Sequence, residues 1–331
     1  EGIRVRAALE PFTTDAGQTF SAGSLIVLRG RNLESEAELP ALMQQVAEDN
    51  GLRVERFTTG RMRDGNDLAS TRNFPLREPQ VAMLVDEPFD TYTSGQIYFL
   101  FDWETQLPVT RIRTSVLRQT SLPKFGQRYG YADLFDYDVL ILPDANNLGE
   151  VFDKEQREVL MGWIRAGGTL VTVGEAAEFF TAENAFTEQQ INQSDRDTSE
   201  AASLLTYAER TDYYGQKYIP GTALRALLDT THPLAFGMQP DVYTLKFGSN
   251  SLRADAGLQS VGRYSADSTQ ILAAGYAPVE ATDRLAGNTW AGVRQIGQGQ
   301  VVYLLDNPHY RMFWRGPSRL MQNAVMIVPG M

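Results

Sequence analysis

At 331 residues, with 43% hydrophobic and 10% aromatic side chains, the chain is long enough for one large or two modest domains. Its composition is that of a folded protein, not a disordered one. A net charge of −11 and an isoelectric point near 4.8 repel phosphate backbones and anionic lipid, so nucleic acid and membrane surfaces are poor partners. The absence of cysteine excludes disulfides, thiolate zinc sites and thiol catalysis, and no apolar run approaches the ~20 residues that span a bilayer.

Residues 1–78 predict a small β/α unit. The apolar run at 25–28 reads as a strand. Leu39, Leu42, Met43 and Val46 fall at helical spacing within 36–50, and Asn50-Gly51 closes that helix. Residues 54–57 read as a short strand, and the polar stretch 58–78 as a linker or loop.

From Pro79 to 331 the pattern predicts one α/β domain. A fully apolar strand at 81–85 is followed by a helix that Ser94 would cap and that runs to Trp103, with Ile97, Tyr98, Leu100 and Phe101 facing inward. Alternation at 110–116 gives a second strand, and 139–143 a third, stopped by Pro143. Asp153 caps a helix carrying Val159, Leu160, Trp163 and Ile164, which ends at Gly167-Gly168, and 170–173 is the fourth strand. Strands of mostly unbroken apolar residues alternating with amphipathic helices predict a mostly parallel sheet covered on both faces. Residues 183–218 interrupt this as a polar insertion, helical around 199–208, with tyrosines at 213, 214 and 218. The last third predicts strands at 242–247, 259–264, 271–276, 289–296 and 301–305, a hairpin at 295–301, and a final helix at 318–327 whose first residue, Ser318, would cap it.

The most informative segment runs from Gly167 to Ala177: a buried strand, a turn at Gly174, then a helix. In α/β hydrolases and amidotransferases a Ser or Cys nucleophile sits on that kind of turn. Here Glu175 follows Gly174, and no cysteine exists to replace it. An enzyme-like corner is present without the expected attacking group.

The strand Asp138-Val139-Leu140-Ile141-Leu142-Pro143, followed by Leu160-Met161-Gly162-Trp163-Ile164-Arg165-Ala166-Gly167-Gly168-Thr169-Leu170, resembles the class I glutamine amidotransferase-like, flavodoxin-like fold. More narrowly, Ser94-Gly95-Gln96-Ile97-Tyr98, Leu107-Pro108-Val109-Thr110, His232-Pro233-Leu234-Ala235-Phe236-Gly237, Gly299-Gln300-Val301-Val302-Tyr303-Leu304-Leu305-Asp306-Asn307-Pro308 and Phe313-Trp314-Arg315-Gly316 resemble the C-terminal region of bacterial zinc carboxypeptidase-like proteins of the carboxypeptidase A superfamily. The fold-level resemblance covers about 79–328. It implies a three-layer α/β domain with a small N-terminal β/α appendage, following a peptidase domain in the same polypeptide. That family holds zinc with a His-x-x-Glu pair and a distant His. This chain has only His232 and His309, neither in that motif, so the resemblance places zinc and peptidase chemistry outside the segment. The start at Glu1 instead of Met fits a mature form or a segment of a longer protein. The amidotransferase triad needs a Cys, and none is present.

Candidate functional residues follow from position. Glu175 stands where a strand ends and a helix begins, the crevice in which parallel sheets place ligands; the plainer reading is a carboxylate stabilising a helix N-terminus. Asp86, Glu87 and Asp144 follow the first and third strands and would bind a cation if they met Glu175 at one rim; as ordinary loop acids they would do nothing of the kind. His309, three residues past Asp306, matches the late-strand place of an amidotransferase His, and the pair suits a base or two metal ligands; a loop histidine satisfied by its neighbours is the alternative. Tyr213 and Tyr214 suit a carbohydrate or peptide surface, whereas Trp314 reads as core at the entry to the last helix.

Three functions remain open. The first is a non-catalytic accessory or interaction module of a zinc metallocarboxypeptidase-like protein, periplasmic or secreted, without a cofactor of its own and docking on the peptidase domain of the same polypeptide or forming a homo-oligomer. The second is an independent metal-assisted hydrolase using Glu175, Asp306 and His309. The third is a sugar- or peptide-binding module.

Overall fold

The computed structural model describes residues 2–121, 133–192 and 204–331. The chain divides into two compact units: Glu1–Glu78 with Gly330–Met331, and Pro79–Pro329.

The first unit contains β1 (Val5–Ala7), the hairpin strands β2 (Phe12–Thr13) and β3 (Thr19–Phe20), β4 (Leu25–Val27), α1 (Leu39–Asn50) and β5 (Phe74–Pro75). β1 sits between β4 and β5, antiparallel to both. Gly51, at φ 61°, ends α1, the left-handed C-cap that Asn50-Gly51 predicts. Residues 54–57 form no strand, because no neighbouring strand takes up their backbone groups.

The second unit is built on a mixed sheet of 12 strands. In chain order these are β6 (Val81–Leu84), β7 (Val109–Ile112), β8 (Val139–Leu142), β9 (Thr169–Val173), β10 (Ile191–Asn192), β11 (Pro220–Leu228), β12 (Asp241–Phe247), β13 (Ser251–Leu252), β14 (Leu258–Tyr264), β15 (Leu272–Ala274), β16 (Thr289–Ile296) and β17 (Gly299–Leu304). The main path is β12-β11-β14-β16-β17-β9-β8-β6-β7. From β17 to β7 neighbours run parallel; from β17 back to β12 they run antiparallel. The expected mostly parallel sheet is therefore mixed. Its antiparallel half is stitched by hairpins such as β16–β17, whose ladder closes at Ile296 and Gly299.

The α-helices of this unit among the described residues are α2 (Thr91–Tyr98), α3 (Lys154–Arg165), α4 (Glu175–Phe179), α5 (Tyr207–Gly215), α6 (Val279–Leu285) and α7 (Ser318–Met326). Side chains of a strand alternate between faces, and the core follows that period. Val81, Met83, Val139, Ile141, Val171, Val173, Val302 and Leu304 pack with Ile97 and Leu100 after α2's start and with Leu320, Met321 and Ala324 of α7. Ala82, Leu84, Leu140, Leu142, Leu170, Val301 and Tyr303 pack with Leu160, Trp163 and Ile164 of α3 and with Ala176 and Ala177 of α4. Both faces are buried, which is why these strands are largely apolar and why Thr172 and Gln300 spend their side chains on hydrogen bonds to Val302 O and Val328 O.

Several boundaries differ from the sequence reading. α2 is capped by Asp90, whose carboxylate accepts from Thr93 N at 2.7 Å, while Ser94 Oγ donates back to Asp90 O. A π-helical turn, Phe99–Thr105, continues it. The strand expected at 110–116 stops at Ile112 and turns into a 3-10 helix at Thr114. β11, just beyond the expected insertion, is not signalled by its Pro220-Gly221 start, yet Thr222, Leu224, Ala226 and Leu228 alternate inward. The helix expected at 199–208 lies partly outside the described residues; within them, α5 starts at Tyr207 behind a Thr206–Glu209 capping box. Ser318 Oγ donates to Arg315 O and does not cap α7.

Candidate functional site

The carboxyl ends of β6, β8, β9 and β17 carry the residues singled out from sequence. β9 is buried along its whole length and leads into Gly174 at φ 62°, ψ −132°, a conformation essentially closed to residues with a Cβ. Gly174 N donates to Leu304 O of β17 at 2.9 Å. Asp144, just past β8, fills the space where a side chain would project: a Cβ built on Gly174 falls 2.4 Å from its Oδ1. The strained residue of the corner is thus Gly174 and not Glu175. A displayed nucleophile occupies the strained position, and here no side chain fits there.

Asp144 and Glu175 are brought together. Asp144 Oδ1 accepts from Glu175 N at 2.7 Å and from Ala145 N at 3.1 Å, and Asp144 O accepts from Asp90 N at 2.7 Å. Burial pushes the Asp144 carboxyl above its ordinary range, against the pull of Glu175 N–H, and the charge of Asp90 adds to the rise. Partial burial raises Glu175 as well, helped by Asp144. A third acid, Glu178, lies one helical turn on from Glu175 and belongs to the same group. It is raised mainly by burial, against the charge of Lys246 and a 2.7 Å hydrogen bond from Asn250 Nδ2. Burial, then Glu175 and Glu178, raise the nearby Tyr218 phenol. Glu175 and Glu178 line an open cleft of about 440 Å³ with Ala145, Asn147, Glu150 and Asn184. Such carboxyls can accept hydrogen bonds from a polar ligand or hand it a proton.

The remaining candidates do not join them. Asp86 accepts from Thr114 N at 2.8 Å and from Thr114 Oγ1 at 3.0 Å, so its carboxylate is spent on the turn after β7. Glu87 is exposed. The expected rim of Asp86, Glu87, Asp144 and Glu175 is not formed. Among the described residues, no three His, Asp or Glu side chains are arranged to hold a metal ion.

Asp306 and His309 do not form a pair. Asp306 is buried, and both its oxygens are taken: Oδ1 by Lys246 Nζ at 2.9 Å, Oδ2 by Thr244 Oγ1 at 2.6 Å and Tyr264 OH at 2.9 Å. Burial and the Asp306 charge drive the Tyr264 phenol far above its ordinary value. His309 is fully buried, and neither ring nitrogen has a partner among the described residues. Burial lowers its pKa, Glu104 opposes that and Arg315 adds to it. His232, by contrast, is satisfied as a turn residue: Nδ1 accepts from Leu234 N at 3.1 Å, and Nε2 lies 2.9 Å from Gln259 Oε1.

On α5, Tyr213 and Tyr214 pack edge-on at 5.4 Å, and Lys217 Nζ donates to Tyr213 OH at 2.8 Å. Phe313 is exposed, and Trp314 is half-buried with Nε1 donating to Tyr243 O at 3.0 Å, so Trp314 braces a strand and is not core. Sequence reasoning missed Glu178 and Lys246. Glu178 was signalled by the i, i+3 spacing from Glu175, and Lys246 by sharing the inward face of its strand with Val242 and Thr244.

No protein-family model matches this sequence, and no curated protein matches it. Solved structures with a similar fold include a protein described as ThuA-like from Parabacteroides merdae (10% identity, TM-score 0.47, covering 76% of this chain and 90% of that one). Another described as ThuA-like, from Bacteroides uniformis, has 10% identity and a TM-score of 0.40 over 75% of this chain and 90% of its own. A Thermoplasma acidophilum protein described as part of a GMP synthase has 5% identity and a TM-score of 0.43 over 75% of this chain and 94% of its own. Likeness at this level assigns no activity. Among the described residues no helix is long and apolar enough to cross a membrane.

Proposed function

We propose that this chain is a catalytically silent module of class I glutamine amidotransferase-like, three-layer fold. It would act as an accessory or interaction domain of an extracytoplasmic zinc carboxypeptidase-like polypeptide. Peptidase chemistry and zinc would belong to another domain of that polypeptide, on which this module docks. The observation that carries the silent reading is Gly174: the strained corner position holds a residue without a side chain, and Asp144 fills the space beside it. The parent assignment rests on the short sequence segments that resemble those proteins.

The 331-residue protein should not hydrolyse p-nitrophenyl esters, glutamine or blocked peptides faster than its Glu175→Gln variant. An enzymatic rate in the unmodified chain, lost in that variant, would overturn the silent reading. The parent assignment is tested separately, by whether the complete open reading frame encodes a His-x-x-Glu motif ahead of this segment. A metal-assisted hydrolase is less favoured, because Asp306 is saturated by three donors and His309 is held apart from it.

A further inference from the structure

A second cleft, of about 500 Å³, opens beside β12 and is walled by Met238, Val242, Tyr243, Phe313 and Trp314. Tyr243 and Phe313 are 52% and 64% exposed, so a large aromatic surface faces solvent at its mouth. The rings form a continuous run: Phe247 lies 5.4 Å from Tyr310, Tyr310 lies 6.2 Å from Phe313, and Phe313 lies 6.4 Å from Trp314. The loop that presents them is strained. Arg311 and Met312, neither a glycine, both lie at positive φ, 48° and 62°, and such outliers concentrate at ligand clamps.

The charges of this cleft are unbalanced. Its single acid, Asp241, is bound by Arg225 at 2.6 Å. Arg315 is paired with Glu104. Arg319 donates through Nε to Phe236 O at 3.2 Å, and among the described residues no carboxylate pairs with it. Gly237, at φ 75°, passes so close that a Cβ there would lie 2.9 Å from Arg319 Nε, so a glycine at 237 leaves this guanidinium its place at the rim. An apolar trough ending in an unmatched guanidinium matches an apolar side chain next to a carboxylate. Arginine takes carboxylates with two parallel hydrogen bonds.

We propose that this cleft is a docking site for an extended acidic–apolar segment of a partner protein. An aliphatic or aromatic side chain enters between Tyr243 and Phe313, and a neighbouring carboxylate binds Arg319. The proposal stands whether or not the corner at Gly174 is silent. The test uses the whole 331-residue chain and two blocked heptapeptides, one alternating leucine with glutamate, the other leucine with lysine. Calorimetric titration should show the glutamate peptide binding at least tenfold tighter than the lysine peptide. Phe313→Ala should weaken it at least fivefold, and Arg319→Glu should reverse the preference. Unchanged melting curves would show both variants folded. Equal binding of the two peptides, no binding, or indifference to both variants would overturn the proposal. So would a dimer that dissociates in Phe313→Ala, since the occupant would then be a second copy of this chain.

Discussion

Two groups of acids sit at the carboxyl ends of the same sheet and handle burial in opposite ways. Beside β17, Asp306 is surrounded by Lys246, Thr244 and Tyr264, so its charge is matched and both oxygens are occupied. Beside β9, Asp144, Glu175 and Glu178 crowd one another, with backbone N–H groups, Asn250 and the more distant Lys246 as partial compensation. The first group is a closed polar knot in the core. The second is an open rim whose carboxyls are held above their ordinary pKa. Identical residue types therefore carry different meanings, and a candidate catalytic acid is judged by what already occupies its oxygens.

The largest expected effect comes from opening the knot. Asp306→Ala leaves Lys246 buried without a counter-charge and Tyr264 and Thr244 without an acceptor. Breaking such a pair costs about 3–5 kcal/mol, visible as a large fall in the calorimetric melting temperature. Asp306→Leu combined with Lys246→Met should recover most of that loss. A single-variant loss under about 1 kcal/mol would put Asp306 in the same class as the exposed acids and erase the contrast.

Next is the corner itself. Gly174→Ala combines a forbidden backbone region with a contact to Asp144 Oδ1, at a cost of about 2–3 kcal/mol by urea unfolding. Asp144→Gly should relieve only the contact part. A neutral Gly174→Ala would show that the turn is not strained and that a side chain can be accommodated beside Asp144.

His309 contributes a smaller, pH-dependent effect. Its folded pKa is depressed, so between that value and the ordinary one near ~6.5 the unfolded chain binds the extra proton. Stability should therefore be full above about pH 6.5 and fall as the pH drops through that window. His309→Gln should flatten this part of the curve of urea midpoint against pH.

The smallest effect sharpens the rim. Glu178 has a raised pKa, so the folded protein holds the proton that the unfolded chain releases above about pH 4.3. Its burial therefore costs stability increasingly as the pH rises through the window above that value. Glu178→Gln should raise stability at pH 7 and leave it unchanged at pH 4, read by thermal melts at the two pH values. Equal effects at both would mean that packing, not charge, decides this position.

Much of this was legible in the chain. The apolar runs 81–84 and 139–142, and the largely apolar 170–173, announce buried strands, because a strand covered on both faces has little polar side to show. Asp153 with Gln156 announces the start of α3, because a capping box is local chemistry between residues three apart. Gly174 as a corner was legible too. Which strands pair was not: β17 lies parallel to β9 across about 130 residues of sequence, through a ladder such as Val302 on Val171, and no local pattern encodes that distance. For the same reason Asp306 looked free beside His309, although its partners Thr244, Lys246 and Tyr264 come from β12 and β14. Local sequence sets what each segment can become, because capping, periodicity and turn geometry act over a few residues. Only tertiary packing decides which charges meet, which oxygens are spent and which corner has room for a side chain.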